Sequence, residues 1–175
     1  MTDYFCTQVD EKTQREIVRE MAYSYKIDPK SHCKKSVMNW SELKKAASDP
    51  LCSVGAHTLN HYHLARLARE EAAFEMAQSA EILAVELGER PKHFAYPYGG
   101  KIAAGRREAE LAREAGFVSA VTTRHGLIHP NHADALHALP RLSINGEYQR
   151  VHYVKTMLSG ITVPVANRGR RFTTV

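Results

Sequence analysis

Two histidines four positions apart are the residues of this chain best suited to chemistry. His57 and His61 follow a short apolar run at residues 51–56, which helix breakers bound and which predicts a buried strand. One helical turn places such side chains on the same face, so both imidazoles could hold one divalent metal ion. The spacing also fits a polar loop with two exposed histidines, and His125 and His129 repeat it.

A second informative segment reads Phe-Ala-Tyr-Pro-Tyr-Gly-Gly at residues 94–100, after a strand predicted at residues 93–96. Chemistry in α/β proteins gathers at the C-terminal ends of parallel strands. His57, Tyr98 and Thr122 all fall at or just past predicted strand ends, so we expect them at a single site. An ordinary Pro-Tyr-Gly turn with aromatic packing is the alternative interpretation of this segment.

The elements that must position these residues alternate along the chain. Helical stripes and short apolar runs follow one another, which predicts an α/β fold with parallel strand pairing. The first helix is expected to begin after Asp10 and to end at Asp28-Pro29, and Gly88 is expected to cap a long helix. Asn39 with Glu42 three residues later predicts a capping box at the start of a short helix, and the long helix carries an apolar stripe of Ala73, Met76, Ala80, Leu83 and Leu87. Further helices are predicted from residues 40, 65, 106 and 148, and strands at residues 51–56, 93–96, 117–122 and 138–144.

The composition fits one globular core, since the chain has 175 residues of which 43% are hydrophobic and 25% charged. Cys6, Cys33 and Cys52 form no C-x-x-C pair and cannot all pair with one another, which favours a reduced, cytoplasmic protein. The N-terminus lacks a basic start followed by an apolar run. No stretch approaches the ~20 apolar residues of a transmembrane helix, so we expect no membrane association.

The net charge of +5 raises the question of a nucleic-acid partner. Most basic residues are mixed with acidic ones on helical stretches such as residues 66–75, and only Arg168, Arg170 and Arg171 cluster. No nucleic-acid-reading motif accompanies the charge, so a solvated surface is the better interpretation and no nucleic-acid partner is expected.

The order of the motifs resembles the polysaccharide deacetylases, the NodB-homology group of carbohydrate esterases. Residues 57–61 resemble the family's His-Ser/Thr-x-x-His metal motif, and residues 96–99 resemble its Pro-aromatic turn. The resemblance runs from Val37 to Gly160, which divides the chain into an N-terminal helical segment (1–36), a deacetylase-like domain (37–160) and a C-terminal tail (161–175). Supporting segments lie at residues 38–43, 49–50, 55–58, 114–117, 120–123 and 139–143.

The resemblance implies a distorted (β/α) barrel that uses a divalent metal ion, commonly zinc, to hydrolyse N-acetyl groups of an amino-sugar polysaccharide or oligosaccharide. His57 and His61 would be metal ligands, and the metal would lower the pKa of bound water towards ~7, so that hydroxide could form near neutral pH. The backbone N–H of Tyr98 would stabilise the oxyanion. Tyr96 and Tyr98 would line the sugar pocket, and His63 would be a bystander or a neighbour of the ligands.

The sequence departs from the family pattern in three respects. It has no Thr-Phe-Asp-Asp motif, which in the family carries the catalytic base and a third metal ligand, and no two aspartates are adjacent. Ala95 stands where many members have an arginine that orients the catalytic base. Arg141 is either its substitute, with a role in substrate binding, or a surface or structural residue. The general acid is open among three histidines, namely His125, His129 and His137.

These departures lead to an expectation for the whole chain. We expect a partial barrel that lacks its first strands, with little or no deacetylase activity of its own. An upstream polypeptide or self-association would complete the barrel. Two alternatives remain open: a non-catalytic remnant that binds saccharide or a partner protein, and an unrelated α/β metal-binding domain in which the Tyr-Pro-Tyr-Gly turn lies far from His57.

Overall fold

A computed structural model describes residues 9–175, apart from the side chains of His32 and Lys35. Cys6 therefore lies outside the described residues. The chain forms two compact units, Met1–Ser53 and Val54–Val175. None of the described helices is both long enough and apolar enough to cross a membrane.

The described part of the first unit contains the helices α1 (Glu11–Ser24) and α2 (Pro29–Ser36). Asp10 caps α1 as expected, since its side chain accepts hydrogen bonds from the backbone of the first turn. The prediction that Asp28-Pro29 ends this helix is wrong. Asp28 instead caps α2, and Pro29 takes the first helical position, where its missing N–H has no helical partner to lose.

A further helix of this unit, α3 (Trp40–Ala47), confirms the capping box predicted from the sequence. The Glu42 N–H donates to the Asn39 side chain at 3.0 Å, and the Asn39 N–H donates to the Glu42 carboxylate at 2.8 Å. Two backbone donors that the helix leaves unpaired are satisfied in this way.

The second unit contains a parallel sheet with strand order β1-β2-β3. Its strands are β1 (His93–Ala95), β2 (Ser119–His125) and β3 (Leu139–Arg141). Helix α4 (Arg69–Leu87) precedes β1, and α5 (Arg106–Glu114) lies between β1 and β2. A 3₁₀ segment lies between β2 and β3, so both parallel pairs are joined by crossover connections. The remaining elements are the 3₁₀ segments Leu64–Arg66 and Pro130–Ala138 and the helices α6 (Val151–Leu158) and α7 (Thr162–Ala166).

The strand predicted at residues 51–56 is wrong over most of its length. Leu51 is 96% exposed, and its N–H donates to the Asp49 carboxylate at 2.8 Å. The Cys52 N–H donates to the Asp49 backbone carbonyl at 2.9 Å, so a turn takes the donors that a strand would need. Only Ala56 joins the sheet, where it pairs with Phe94.

The core of the second unit lies between α4, α5 and the sheet. The apolar stripe predicted for α4 is buried at Met76 and Ala80, and Gly88 ends the helix in the left-handed conformation, with φ of 81°. The other large buried side chains of this core are Leu64, Leu67, Phe94, Tyr96, Leu111 and Phe117.

Within the second unit, the last residues of the segment 161–175 pack against the part of the chain around His132 and Arg124. His132 is 1% exposed, its Nε2 donates to the Thr173 carbonyl at 2.9 Å, and its ring lies 4.4 Å from the Phe172 ring. The Arg124 guanidinium donates to the Thr174 carbonyl. These contacts hold the end of the chain near the C-terminal part of the sheet.

Candidate metal centre

The segment between His57 and His61 follows Ala56, the residue that pairs with Phe94. It is neither a helix nor a strand, so the helical turn expected to align the two imidazoles is wrong. The two rings nevertheless lie with their centroids 4.9 Å apart and their planes at 71°. The structure thus brings the pair together by a route other than the predicted one.

That route is a tight turn with an unusual backbone. Thr58 and His61 have φ of 64° and 56°, in the left-handed region that residues with a β-carbon rarely occupy. The His61 N–H donates to the Thr58 hydroxyl oxygen at 3.0 Å, which closes the turn. Such backbone strain persists only where the surroundings impose it, and it is most frequent at functional sites.

The orientation of His57 is set by the neighbouring strand. Its Nδ1 lies 2.7 Å from the Ala95 carbonyl oxygen, and because a carbonyl can only accept, Nδ1 carries the proton. Nε2 therefore keeps its lone pair. Partial burial lowers the pKa of His57, the bond to Ala95 opposes this, and the charges of His61 and Arg141 lower the pKa further. The lowered pKa favours the neutral imidazole, which is the form that binds a metal.

The Tyr-Pro-Tyr-Gly turn lies beside the histidine pair. The Tyr98 ring centroid is 5.2 Å from that of His61 and 5.6 Å from that of His63. Tyr98 is 52% exposed, so its ring is open to a ligand. This proximity excludes the alternative in which the turn and the histidine pair are remote from each other.

The turn is fastened to β2. The Thr123 N–H donates to the Gly99 carbonyl at 3.0 Å, and the Thr123 hydroxyl donates to the Tyr98 carbonyl at 2.6 Å. Tyr98 and Gly99 have φ of 61° and 58°. Both residues are thus held in the left-handed region by the same strand.

Two residues predicted for the site lie in the core instead. Tyr96 is 1% exposed and its hydroxyl donates to the His137 carbonyl at 2.7 Å, so it cannot line a sugar pocket. Side chains alternate along a strand, and Tyr96 shares the inner face with Phe94. Thr122 is buried within β2, where its hydroxyl donates to the Leu139 carbonyl at 3.1 Å.

Arg141 ends β3 with an exposed side chain. The candidate general acids have other partners. His125 Nε2 lies 2.9 Å from the Thr162 hydroxyl, and the His129 ring stacks on that of His132 with centroids 6.0 Å apart. The His137 Nε2 donates to the Phe117 carbonyl at 2.7 Å. The second pair of histidines with four-residue spacing therefore does not repeat the arrangement of the first.

Glu75 was not identified from the sequence, although it contacts the segment between the two histidines. Its carboxylate is 4% exposed and accepts hydrogen bonds from the backbone N–H groups of Leu59 and Asn60, at 3.0 and 2.8 Å. The Asn60 side chain adds a third at 2.6 Å. A signal was present, because Glu75 adjoins Met76 on the buried face of α4, where a carboxylate needs partners.

The separation of the two imidazole rings can be compared with that of two ligands of one divalent metal ion. Rings bound to one tetrahedral zinc ion at about 2.0–2.1 Å have centres roughly 5 Å apart, close to the spacing of 4.9 Å between His57 and His61. A ring nitrogen bonded to a backbone carbonyl, as in His57, is also typical of metal-binding histidines. Within residues 9–175, no group of three or more His, Cys, Asp or Glu side chains is arranged to hold a metal.

Comparisons with known proteins identify the family and the fold of the chain. The family model for polysaccharide deacetylase matches residues 4–120. Among solved structures, the deacetylase PplD from Streptococcus pyogenes in complex with acetate is 23% identical, with a TM-score of 0.60 over 69% of this chain and 50% of its own. IcaB from Ammonifex degensii is 23% identical, with a TM-score of 0.55 over 70% of this chain and 52% of its own.

A polysaccharide deacetylase from Bacillus cereus is also 23% identical, with a TM-score of 0.60 over 70% of this chain and 37% of its own. At this identity the structural likenesses establish a shared fold of mixed helices and strands. The chain spans about half the length of the first two structures and less of the third. No curated protein matches its sequence.

Proposed function

The chain belongs to the polysaccharide deacetylase family, and from this membership we propose that it acts in the hydrolysis of N-acetyl groups of an amino-sugar polysaccharide or oligosaccharide. The observation that supports the proposal best is the meeting of two motifs that are distant in sequence. The ring centroids of His57 and His61 lie 4.9 Å apart, and that of Tyr98 lies 5.2 Å from that of His61. The proposed metal position and an exposed aromatic ring thus lie side by side.

We propose that the second unit is part of a (β/α) barrel that lacks its first strands. The support is the strand order, since neighbours in the sheet are consecutive in sequence, parallel, and preceded by helices, as in a barrel. The division into residues 1–36, 37–160 and 161–175 stays a prediction. A cytoplasmic location is also part of the proposal, and the free thiols of Cys33 and Cys52 agree with it.

In this proposal His57 and His61 hold the divalent metal ion, zinc in preference to cobalt or manganese, although imidazole suits several metals. When bound, such an ion polarises a carbonyl and makes water a better nucleophile at neutral pH. Tyr98 would present its backbone N–H to the amide oxygen and its ring to the sugar. Arg141, exposed at the end of β3, would donate hydrogen bonds to the saccharide.

We also propose that the chain alone has little or no deacetylase activity. An amide needs a base to take the proton of the attacking water, and the adjacent aspartates that supply it in the family are absent from the sequence. A carboxylate from another polypeptide or from a second copy would have to complete the site. A non-catalytic protein that binds saccharide or a partner is the second candidate, favoured by the absence of a three-residue metal group among the described residues.

Zinc titration tests the proposed metal site. We expect the purified chain to bind Zn²⁺ in a calorimetric titration, and we expect His57→Gln and His61→Gln each to weaken binding by about tenfold or more, because each removes one imidazole ligand. His129→Gln is the matched control, since it comes from the second histidine pair and should leave the affinity unchanged. Equal losses in all three variants, or no binding by the unsubstituted chain, would refute the site.

Acetate release tests the proposed loss of activity separately. The chain with Zn²⁺ should release no acetate above background from N-acetylglucosamine oligosaccharides. Robust release that depends on the metal and on His57 would show that the chain carries its own base, and would overturn this part of the proposal.

A further inference from the structure

Glu75 lies in α4, outside both sequence motifs, and nothing in the proposed chemistry uses it. We propose that Glu75 is a positioning residue for the histidine pair: its carboxylate fixes the segment between His57 and His61 and so sets the separation of the two imidazoles. The inference rests on the proposed function in treating this pair as a metal site. It adds a residue that no motif contains.

The contacts place the carboxylate at the centre of the turn. One oxygen, Oε2, accepts from the Leu59 N–H at 3.0 Å and from the Asn60 N–H at 2.8 Å. The other, Oε1, accepts from the Asn60 side-chain amide at 2.6 Å. Hydrogen bonds to an ionised carboxylate are shorter and stronger than neutral ones, so three of them form a firm anchor.

The turn needs such an anchor because its own backbone is unfavourable. Thr58 and His61 both occupy the left-handed region, on either side of the two residues that Glu75 holds. No helix or strand hydrogen bonds support this stretch. Beside Glu75, the bond from the His61 N–H to the Thr58 hydroxyl closes the turn locally.

The anchor itself is rigid. Glu75 is 4% exposed, and its neighbours Ala72 and Met76 on α4 are fully buried in the core. A close-packed helix transmits displacement instead of absorbing it. The position of the turn relative to β1 is therefore set by the reach of the Glu75 side chain, and His57 is held from the other side by the Ala95 carbonyl.

Three substitutions separate reach from charge. Glu75→Ala removes the acceptor. Glu75→Asp keeps the charge but withdraws the carboxylate by one methylene. Glu75→Gln keeps the length of the side chain and removes its charge. The Gln amide oxygen can accept from both backbone N–H groups, and the Gln NH₂ can donate to the Asn60 amide oxygen once the Asn60 amide has rotated. If Glu75 acts by position, the Gln variant should resemble the unsubstituted chain and the Asp variant should resemble Ala.

Glu108→Ala is the matched control for loss of a buried carboxylate. Glu108 is 3% exposed and accepts from the Gly105 backbone N–H at 2.8 Å, at the start of α5. It contacts no residue of the histidine turn among the hydrogen bonds of the described chain. A loss of overall stability alone should therefore affect Glu108→Ala and Glu75→Ala alike.

Two readouts follow the turn directly. In metal-free protein, amide hydrogen exchange at Leu59 and Asn60 should accelerate in Glu75→Ala and Glu75→Asp, and not in Glu108→Ala. In zinc titrations, Glu75→Ala and Glu75→Asp should bind about tenfold to a hundredfold more weakly, the usual effect of removing a partner that orients metal ligands. Glu75→Gln should bind within about threefold of the unsubstituted chain, as expected when the orientation of the ligands is kept.

The outcomes are distinguishable. Unchanged amide hydrogen exchange and unchanged zinc affinity in Glu75→Ala would overturn the positioning role. Normal zinc binding by Glu75→Asp with weakened binding by Glu75→Gln would also overturn it, because charge would then be the cause. If the unsubstituted chain binds no Zn²⁺, the proposed metal site fails, and the nuclear Overhauser contact between the His57 and His61 rings decides instead. Loss of that contact in Glu75→Ala with retention in Glu75→Gln supports the inference, and retention in both overturns it.

Discussion

Gly99→Ala should disrupt the turn that places Tyr98 beside His61. The new β-carbon would lie 2.6 Å from the Thr123 backbone nitrogen and 2.9 Å from its Cγ2 atom. Neither distance is compatible with van der Waals contact, and the first obstacle belongs to the backbone of β2, so no side-chain rotation relieves it. The turn, the strand or both must move.

The cost has two parts. Gly99 has φ of 58°, and an alanine in the left-handed region costs about 1–2 kcal/mol. Forcing an extra carbon into a packed position costs about 1–3 kcal/mol more. The free energy of unfolding should therefore fall by about 2–5 kcal/mol, which is large for one methyl group.

The next residue provides the control. A β-carbon on Gly100 would meet no atom within 4 Å, and its φ is not in the left-handed region. Gly100→Ala should change the free energy of unfolding by less than about 0.5 kcal/mol. Urea unfolding followed by circular dichroism, extrapolated linearly to water, measures both variants. If the two variants differ by less than about 1 kcal/mol, the close approach of the turn to β2 is refuted.

Two smaller predictions concern groups away from the turn. Burial, followed by the Glu108 charge, raises the pKa of Tyr96 above its ordinary value of 10.0, so the unfolded chain loses this proton first. Its contribution to stability should be complete below about pH 10 and fall as the pH rises above it, and Tyr96→Phe should flatten that fall in urea midpoints measured from pH 9 to 11. Asn39→Ala removes the acceptor for the Glu42 N–H and should cost about 1 kcal/mol, whereas Ser41→Ala, on the exposed surface of the same helix, should cost much less in thermal unfolding.

Local signals in the sequence predicted the helix ends well. Asn39 with Glu42, and Gly88 after the stripe of α4, are patterns whose physics lies within one turn of the chain. The parallel order of the strands followed from the alternation of helix and strand, because a parallel pair needs a long crossover. The sequence also predicted that the turn with Tyr98 would lie near the histidine pair.

The errors in the predicted strands arose where a distant or competing hydrogen-bond partner determines the local structure. A strand at residues 51–56 was predicted from apolar character, but Asp49 captures the backbone donors there. Thr122 was placed at a strand end, whereas β2 continues to His125, so Thr123 reaches the turn and Thr122 faces the core. A shift of one residue exchanges the two faces of a strand.

Glu75 illustrates a further limit. Its three hydrogen bonds join residues that are 15 and 16 positions apart, and no local pattern encodes such a contact. A carboxylate on the buried face of α4 predicts that some partner exists, but the partner depends on the path of the chain after Ala56. The backbone strain at Thr58 is equally invisible, because a β-branched residue disfavours that conformation.

The single backbone pairing of Ala56 with Phe94 has a mechanical consequence. His57 is the next residue after one partner, and the Tyr96 to Gly99 turn begins two residues after the other. Both halves of the candidate site are therefore attached at the same point of the sheet. A displacement of this part of the sheet would move both halves together, and would change the gap between the histidines and the tyrosine ring less than separate attachments would.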